Sequence, residues 1–296
     1  MLDPRLIFVA LVWGVNFAFV KFALADFSPL SFTVTRFALA SLFLFCVMIA
    51  TGEPLGIDRK DRAAIIRLGF IGITLYNIFF MYGIKYTTAS HSALFISLSP
   101  LFAVLLQSVG SRERPTLRAG AGMLLASAGV YLIINSHGEG MRFTTSDITG
   151  DLLTLVAAFL WALYTIGSKP LLEKYSPVKI TAYCMAAGSI ILFPIGAYEL
   201  FDQSWTAISA GSWAAFGFST ILSGGVAFSL WYQGVKRIGV TRTVVYHYLV
   251  PFIAVLFAAF FLGERITLSQ MAGGAAIISG VALVQRRTSE VRKVGS

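Results

Sequence analysis

The sequence predicts an all-α integral membrane protein of ten transmembrane helices, arranged as two inverted five-helix repeats. Three observations predict it: a deficit of charge, a series of apolar runs each long enough to cross a bilayer, and an internal duplication. Of 296 residues, 57% are hydrophobic and only 12% are charged. Soluble domains carry about 25% charged residues, so a chain this long with so little charge has its outer surface in lipid.

A helix crosses a hydrocarbon core of roughly 30 Å with about 20 apolar residues. Such runs lie at 5–24, 29–50, 63–84, 89–110, 116–135, 147–168, 177–198, 212–235, 243–262 and 267–284. Transmembrane barrels instead show alternating segments of about 10 residues. The run 122–134 is continuously apolar and too long for that pattern. No large soluble domain fits between the spans.

The net charge of +9 follows topology rather than nucleic-acid binding. With ten alternating spans, the side holding the N-terminus receives 18 of the 23 basic residues, in the groups around Arg5, Arg59, Arg112, Lys169, Lys236 and the tail after Arg286. The opposite side receives Lys85, Arg142 and Arg265, while Lys21 and Arg36 lie within or near spans. Short loops rich in Lys and Arg stay in the cytoplasm. Both termini are therefore expected in the cytoplasm, against the anionic inner leaflet of the cell's inner membrane. Cys46 and Cys184 sit singly inside apolar spans and offer neither a disulfide framework nor metal spacing. No cofactor is expected.

The duplication comes in two blocks. Trp13, Lys21, Phe27-Ser28-Pro29 and Leu44-Phe45 recur as Trp161, Lys169, Tyr175-Ser176-Pro177 and Leu192-Phe193, at an offset of 148. Gly83, Lys85, Pro100, Glu113-Arg114, Thr116-Leu117, Gly122 and Gly129 recur as Gly234, Lys236, Pro251, Glu264-Arg265, Thr267-Leu268, Gly273 and Gly280, at an offset of 151. The first repeat is expected at 1–136, the second at 147–286, and a basic cytoplasmic tail at 287–296. Ala23-Leu24-Ala25 resembles a signal-peptidase site, but a cleaved leader would not be duplicated in mid-chain, so the first segment is expected to be a retained helix. Five spans per repeat is an odd number, so the second repeat enters the membrane from the opposite side. Inverted repeats of this kind place a substrate site near the midplane between the halves.

Several residues point to a family. Trp13-Gly14-x-Asn16-Phe17 in the first span, Arg36 early in the second, Pro100 in the fourth and Gly263-Glu264-Arg265 before the last span, on a five-plus-five layout, resemble the EamA-type branch of the drug/metabolite transporter superfamily. The resemblance covers nearly the whole chain, and within the superfamily it is nearest to exporters of aromatic amino acids. It implies a basket-like helical bundle that exports small metabolites by alternating access.

A midplane site would be lined by inward helix faces. Trp13 and Asn16 share a face of the first span, and Trp161 and Tyr164 repeat that geometry in the sixth. Tyr76, Phe79 and Phe80 line the third span. His91, Phe95 and Ser99 follow in the fourth, Ser229 with Trp231 and Tyr232 in the eighth, and Tyr246, His247 and Tyr248 in the ninth. Trp and Tyr also gather at membrane interfaces. That alternative stays open for Trp231, Tyr232, Tyr246 and Tyr248, near span ends, whereas Trp13, Tyr76 and Trp161 lie too deep for it. Asn16 suits either a zwitterionic ligand or an interhelical contact. Pro100 and Pro251 occupy matched positions and suggest hinges. Arg36, whose repeat partner is Cys184, reads as structural or gating; an intramembrane Arg is a functional candidate in any case.

Aromatic walls with few polar groups suit an aromatic or amphipathic ligand. An amino acid fits, and so does a flat organic cation or a nucleoside. All 14 acidic residues lie at span ends or in loops, so a facilitator and a weakly proton-coupled carrier both remain open. The small-residue faces Gly122/Ala126/Gly129 and Gly273/Ala276/Gly280 suit close helix packing, within the bundle or in a homodimer, and a monomer is equally compatible. The chain lacks the His-Glu-x-x-His, Gly-x-Ser-x-Gly and P-loop patterns of enzymes. It also lacks the charge rings and repeated filter loops of channels.

Overall fold

The computed structural model describes residues 2–86, 95–110, 116–135, 145–262 and 267–285. The described residues form ten helical spans and no strand. His91, Glu113-Arg114 and Gly263-Glu264-Arg265 lie outside the described residues, as does the basic tail.

The first span, Pro4–Ala23, starts at Asp3, whose carboxylate accepts from the Arg5 N–H at 3.0 Å; the free first-turn donor is thereby satisfied. The second, Pro29–Ala50, and the seventh, Pro177–Asp202, both open with Ser-Pro, where proline's missing N–H costs nothing. One hydrogen bond is duplicated with them. Thr33 donates to the Pro29 carbonyl at 2.7 Å and Thr181 to the Pro177 carbonyl at 2.8 Å, so each hydroxyl is satisfied within its own helix. The fifth span is Leu117–Ile134, the tenth Leu268–Gln285 and the sixth Thr145–Gly167, followed by a short helix at Lys169–Lys174.

The other four spans are interrupted, and the interruptions match between the repeats. The third runs Arg59–Gly69, then a π-helical stretch Phe70–Leu75, then Tyr76–Tyr86. The eighth runs Ala210–Phe218, a π-helical stretch Ser219–Ala227 and Phe228–Ile238. Adding 151 to 70–75 gives 221–226, inside the second stretch. The fourth span resumes as Ser99–Gly110. The ninth runs Val240–Val244, a 3-10 turn Val245–Tyr248 and Leu249–Leu262. Pro100 and Pro251 therefore stand in the first turn of a restarted helix rather than inside a continuous one. Proline clashes with a preceding helical turn, and the helix breaks ahead of it in both repeats.

The helix pairs across the halves obey a pseudo-two-fold relation. The second span packs on the seventh, and the fifth on the tenth. The first packs on the eighth as the sixth packs on the third, and the first packs on the ninth as the sixth packs on the fourth. The fifth and tenth cross at glycine: a Cβ on Gly122 would lie 2.7 Å from the Gly280 carbonyl oxygen, and one on Gly129 would lie 2.5 Å from that of Gly273. The small-residue faces are thus consumed inside the bundle. Large apolar side chains such as Leu42, Ile66, Leu124 and Ile190 face outward, as a lipid environment allows. Among the described residues, six helices are individually long and apolar enough to cross a membrane, and the first and fifth are shorter apolar helices.

Candidate functional site

The pseudo-two-fold relation brings the two duplicated tryptophans together. Trp13 and Trp161 meet edge to face with ring centres 5.5 Å apart. Around them, Trp13 touches Phe228 at 5.4 Å, Trp231 at 5.1 Å and His247 at 5.8 Å. Trp161 touches Tyr76 at 5.3 Å, Phe228 at 5.5 Å and His247 at 5.8 Å. Tyr76 stacks on Phe80. The distances and tilts are those favoured by ring quadrupoles. Five spans, the first, third, sixth, eighth and ninth, contribute to this centre. It includes no carboxylate, and no cluster of His, Cys, Asp and Glu suited to a metal occurs among the described residues.

The polar lining comes from the eighth span's π-helical stretch. A π-helix spaces its backbone bonds i to i+5 and loosens the ladder, often at functional sites. The Ser223 carbonyl accepts from the Trp13 indole N–H at 3.3 Å. The Ser219 carbonyl accepts from Arg36 Nε at 3.1 Å, and the Ser223 hydroxyl from Arg36 Nη2 at 3.2 Å. Ser219 donates its hydroxyl to Asn16 Oδ1 at 2.5 Å. Arg36 is buried, 8% exposed, and no Asp or Glu pairs with it among the described residues. Its repeat partner Cys184 lies against the Ile65 carbonyl of the third span, with Sγ 3.9 Å from the oxygen. The two positions thus face matched spans, but only one carries a charge.

Toward the side of the N-terminus the centre is sealed. Tyr164 and Tyr232 lie with ring centres 5.3 Å apart, and with Trp231, Tyr246 and Tyr248 they are at most 1% exposed. Trp231 donates its indole N–H to Thr165 Oγ1 at 3.4 Å, and Ser127 donates to the Tyr248 hydroxyl at 3.0 Å. Gly72 makes this possible, because any Cβ there would collide with the Tyr164 ring. On the opposite side Asn16, Tyr76, Phe79 and Phe80 are only partly buried. The packing is therefore dense on one side of the centre and loose on the other.

Of the residues expected from sequence, Trp13, Tyr76, Phe80 and Trp161 meet in the centre. Asn16 joins it through Ser219, and Ser99 through His247, with Oγ and Nδ1 3.0 Å apart. Tyr164 lies directly beneath Trp161, ring centres 5.7 Å apart. Phe79 packs with Ile96, Ala157 and Ala158 at the loose side. Ser229 donates to the Gly225 carbonyl of its own helix at 2.8 Å, and the Tyr246 hydroxyl accepts from the Asp3 N–H at 2.7 Å, at the N-terminal end of the bundle. Phe95 is partly buried before the restarted fourth helix, and its carbonyl accepts from the Leu98 N–H at 3.1 Å. His91 lies outside the described residues. Sequence reasoning missed Phe228, Ser219 and Ser223. Phe228 was hidden among 25 phenylalanines. The serines had a faint signal, their place around Gly224-Gly225 in an apolar run.

A membrane bundle of two inverted repeats with a lined centre at their junction is the architecture of a secondary transporter. The EamA-like transporter family matches residues 5–135 and 148–286, and the chain belongs to that family. It is 33% identical over 276 residues to an uncharacterized transporter of Archaeoglobus fulgidus, covering 92% of this chain and 93% of that one. It is 30% identical to the uncharacterized transporter YyaM of Bacillus subtilis, covering 90% and 88%. It is 29% identical to a protein of Streptantibioticus cattleyicolor named a probable terminal-alkyne amino-acid exporter, covering 98% and 95%. A solved crystal structure shares the fold, with a TM-score of 0.82, 20% identity and 95% of each chain covered.

Proposed function

We propose that this transporter exports small amphipathic metabolites, amino acids including aromatic ones foremost, by alternating access through the centre between its repeats. The observation that carries the reading is the aromatic centre itself. Rings from five spans converge where the halves cross, with a hydrogen-bonding edge along one wall and a seal toward the side of the N-terminus. An aromatic or apolar side chain would lie against Trp13, Trp161 and Tyr76, and the polar groups of the substrate would meet Asn16 and the π-helical wall. The relative named as an exporter of an unusual amino acid supports the same substrate class. The basic residues that favour one side put both termini in the cytoplasm of an inner-membrane protein, so the sealed side faces the cytoplasm. The repeats act as the two rocking halves, within 1–136 and 147–286.

Purified protein in liposomes tests the reading. Radiolabelled phenylalanine should cross the bilayer unchanged and faster than in protein-free vesicles. Trp161→Ala should cut that flux at least tenfold while the protein remains inserted. Conversion of the label to another compound, or flux equal to that of empty vesicles for every amino acid tried, would sink it.

A further inference from the structure

Two groups at the centre carry N–H donors that no acceptor among the described residues takes up. The first is the guanidinium of Arg36. An arginine carries five N–H donors in a planar fork. The Nε and one Nη2 hydrogen are engaged by Ser219 and Ser223 along one edge. The other edge, formed by Nη1 and the remaining Nη2 hydrogen, has no protein acceptor among the described residues. A cation inside a membrane is costly unless it is paired or hydrogen-bonded, and no carboxylate of the described chain pairs with this one. The second is the indole N–H of Trp161, 3% exposed and without a hydrogen-bond partner among the described residues. Its repeat mate shows what is missing: the Trp13 N–H reaches the Ser223 carbonyl.

We infer that the centre binds its ligand through a carboxylate, taken in a two-pronged hydrogen bond by the free edge of Arg36, with the Trp161 N–H supplying a further donor to the same ligand. The inference rests on the centre being the substrate site, and it narrows the substrate to organic acids and zwitterions. A guanidinium edge matches the two oxygens of a carboxylate. The serines on the opposite edge hold the fork in one orientation, so it is positioned before the ligand arrives. Asn16 shares Ser219 with Arg36, which places an amide beside the same wall. A flat organic cation would instead bring a second positive charge to a cation that has no counter-ion among the described residues. Because no carboxylate among the described residues pairs with Arg36, the protein supplies the cation and the cargo supplies the anion.

Matched acid and amide probes test this by quenching of intrinsic tryptophan fluorescence in the detergent-solubilised full chain: phenylalanine against phenylalaninamide, leucine against leucinamide, and 3-phenylpropionate against 3-phenylpropanamide. The acid should bind at least tenfold more tightly than its amide in at least one pair. Arg36→Gln should abolish that preference and Arg36→Lys should restore part of it. Trp161→Phe, which leaves the guanidinium in place, should weaken the acid several-fold more than the amide, so the idea does not depend on Arg36→Gln folding. Equal binding of acid and amide in every pair overturns the inference, as does binding of none of the six. Binding of the acids without movement of any amino acid in liposomes keeps the carboxylate site and overturns the amino-acid transport reading instead.

Discussion

The crossing of the fifth and tenth spans makes a quantitative demand on glycine. A Cβ added to Gly129 would lie 2.5 Å from the Gly273 carbonyl oxygen and 2.9 Å from the backbone nitrogen of Ile277. Carbon–oxygen contacts settle near 3.4 Å, so Gly129→Ala must push the two backbones apart by about 0.9 Å at the crossing. Neither obstacle is a flexible side chain that could swing away. A gap of that size forfeits a quarter to a half of the dispersion energy of the atoms lining it, and misfits of this kind cost about 1–3 kcal/mol. The same helix supplies its own control. A Cβ on Gly120 meets nothing within 4 Å, so Gly120→Ala should be neutral or slightly stabilising, since alanine favours the helix by up to about 1 kcal/mol. The pseudo-two-fold relation adds a second demand: Gly280→Ala, whose Cβ would strike the Gly122 carbonyl, should cost as much as Gly129→Ala. Reversible unfolding in mixed micelles with added SDS, followed by intrinsic fluorescence, measures all three. Equal stability of Gly129→Ala and Gly120→Ala would refute the packing of these helices on each other.

Other consequences are simpler. Tyr164 and Tyr232 bury hydroxyls that have no hydrogen-bond partner among the described residues, so Tyr164→Phe should stabilise the purified protein by about 1 kcal/mol in the same unfolding assay; a loss of stability would mean that the hydroxyl is partnered. Hydrogen bonds from the Ser209 hydroxyl hold the Asp26 carboxyl, in the loop between the first two spans, below its ordinary value. A lowered folded-state value stabilises above the unfolded value, near pH 4, and that contribution disappears as pH falls through the folded value. Thermal unfolding midpoints should therefore drop on acidification below about pH 4, and Ser209→Ala should flatten that drop; an unchanged pH profile counts against the contact. A reporter fused after the tenth span should be active only as a cytoplasmic fusion, and an active periplasmic alkaline phosphatase there would reverse the orientation.

Much of the fold was legible because a membrane imposes its constraints residue by residue. Every backbone group in hydrocarbon must be satisfied locally, so long apolar runs declared helices, and the 148 and 151 offsets declared the inverted repeat. The meeting of the duplicated tryptophans was legible for the same reason, since a duplicated residue near a two-fold axis faces its own copy. The helix irregularities were not legible. Pro100 and Pro251 announced a disturbance, but whether a proline kinks a helix or begins one depends on whether the preceding turn has another partner, which local sequence does not state. The π-helical stretches carry no proline and arise where packing shifts the ladder by one residue, so Ser219 and Ser223 looked like ordinary small residues. Tyr246 and Ser229 had the right residue type near the right depth, but tertiary contacts claimed their hydroxyls, one for the Asp3 N–H and the other for its own helix.

The departures from symmetry explain more about function than the symmetry does. Two identical inverted halves would give a centre with the same chemistry toward both sides. Here one half places Arg36 on the eighth span's π-helical wall while the other places Cys184 against the third. Trp13 spends its N–H on a carbonyl while Trp161 does not. Both differences put unspent donors at the junction of the halves, where rocking of one against the other would change what they face. A ligand that accepts from Arg36 and Trp161 takes up donors that no acceptor among the described residues engages, and for the buried Trp161 N–H an unsatisfied donor costs about 1–3 kcal/mol. Binding therefore draws on energy that the empty carrier lacks. A transporter needs its loaded state, in particular, to find both orientations accessible, and a centre completed only by its cargo meets that requirement.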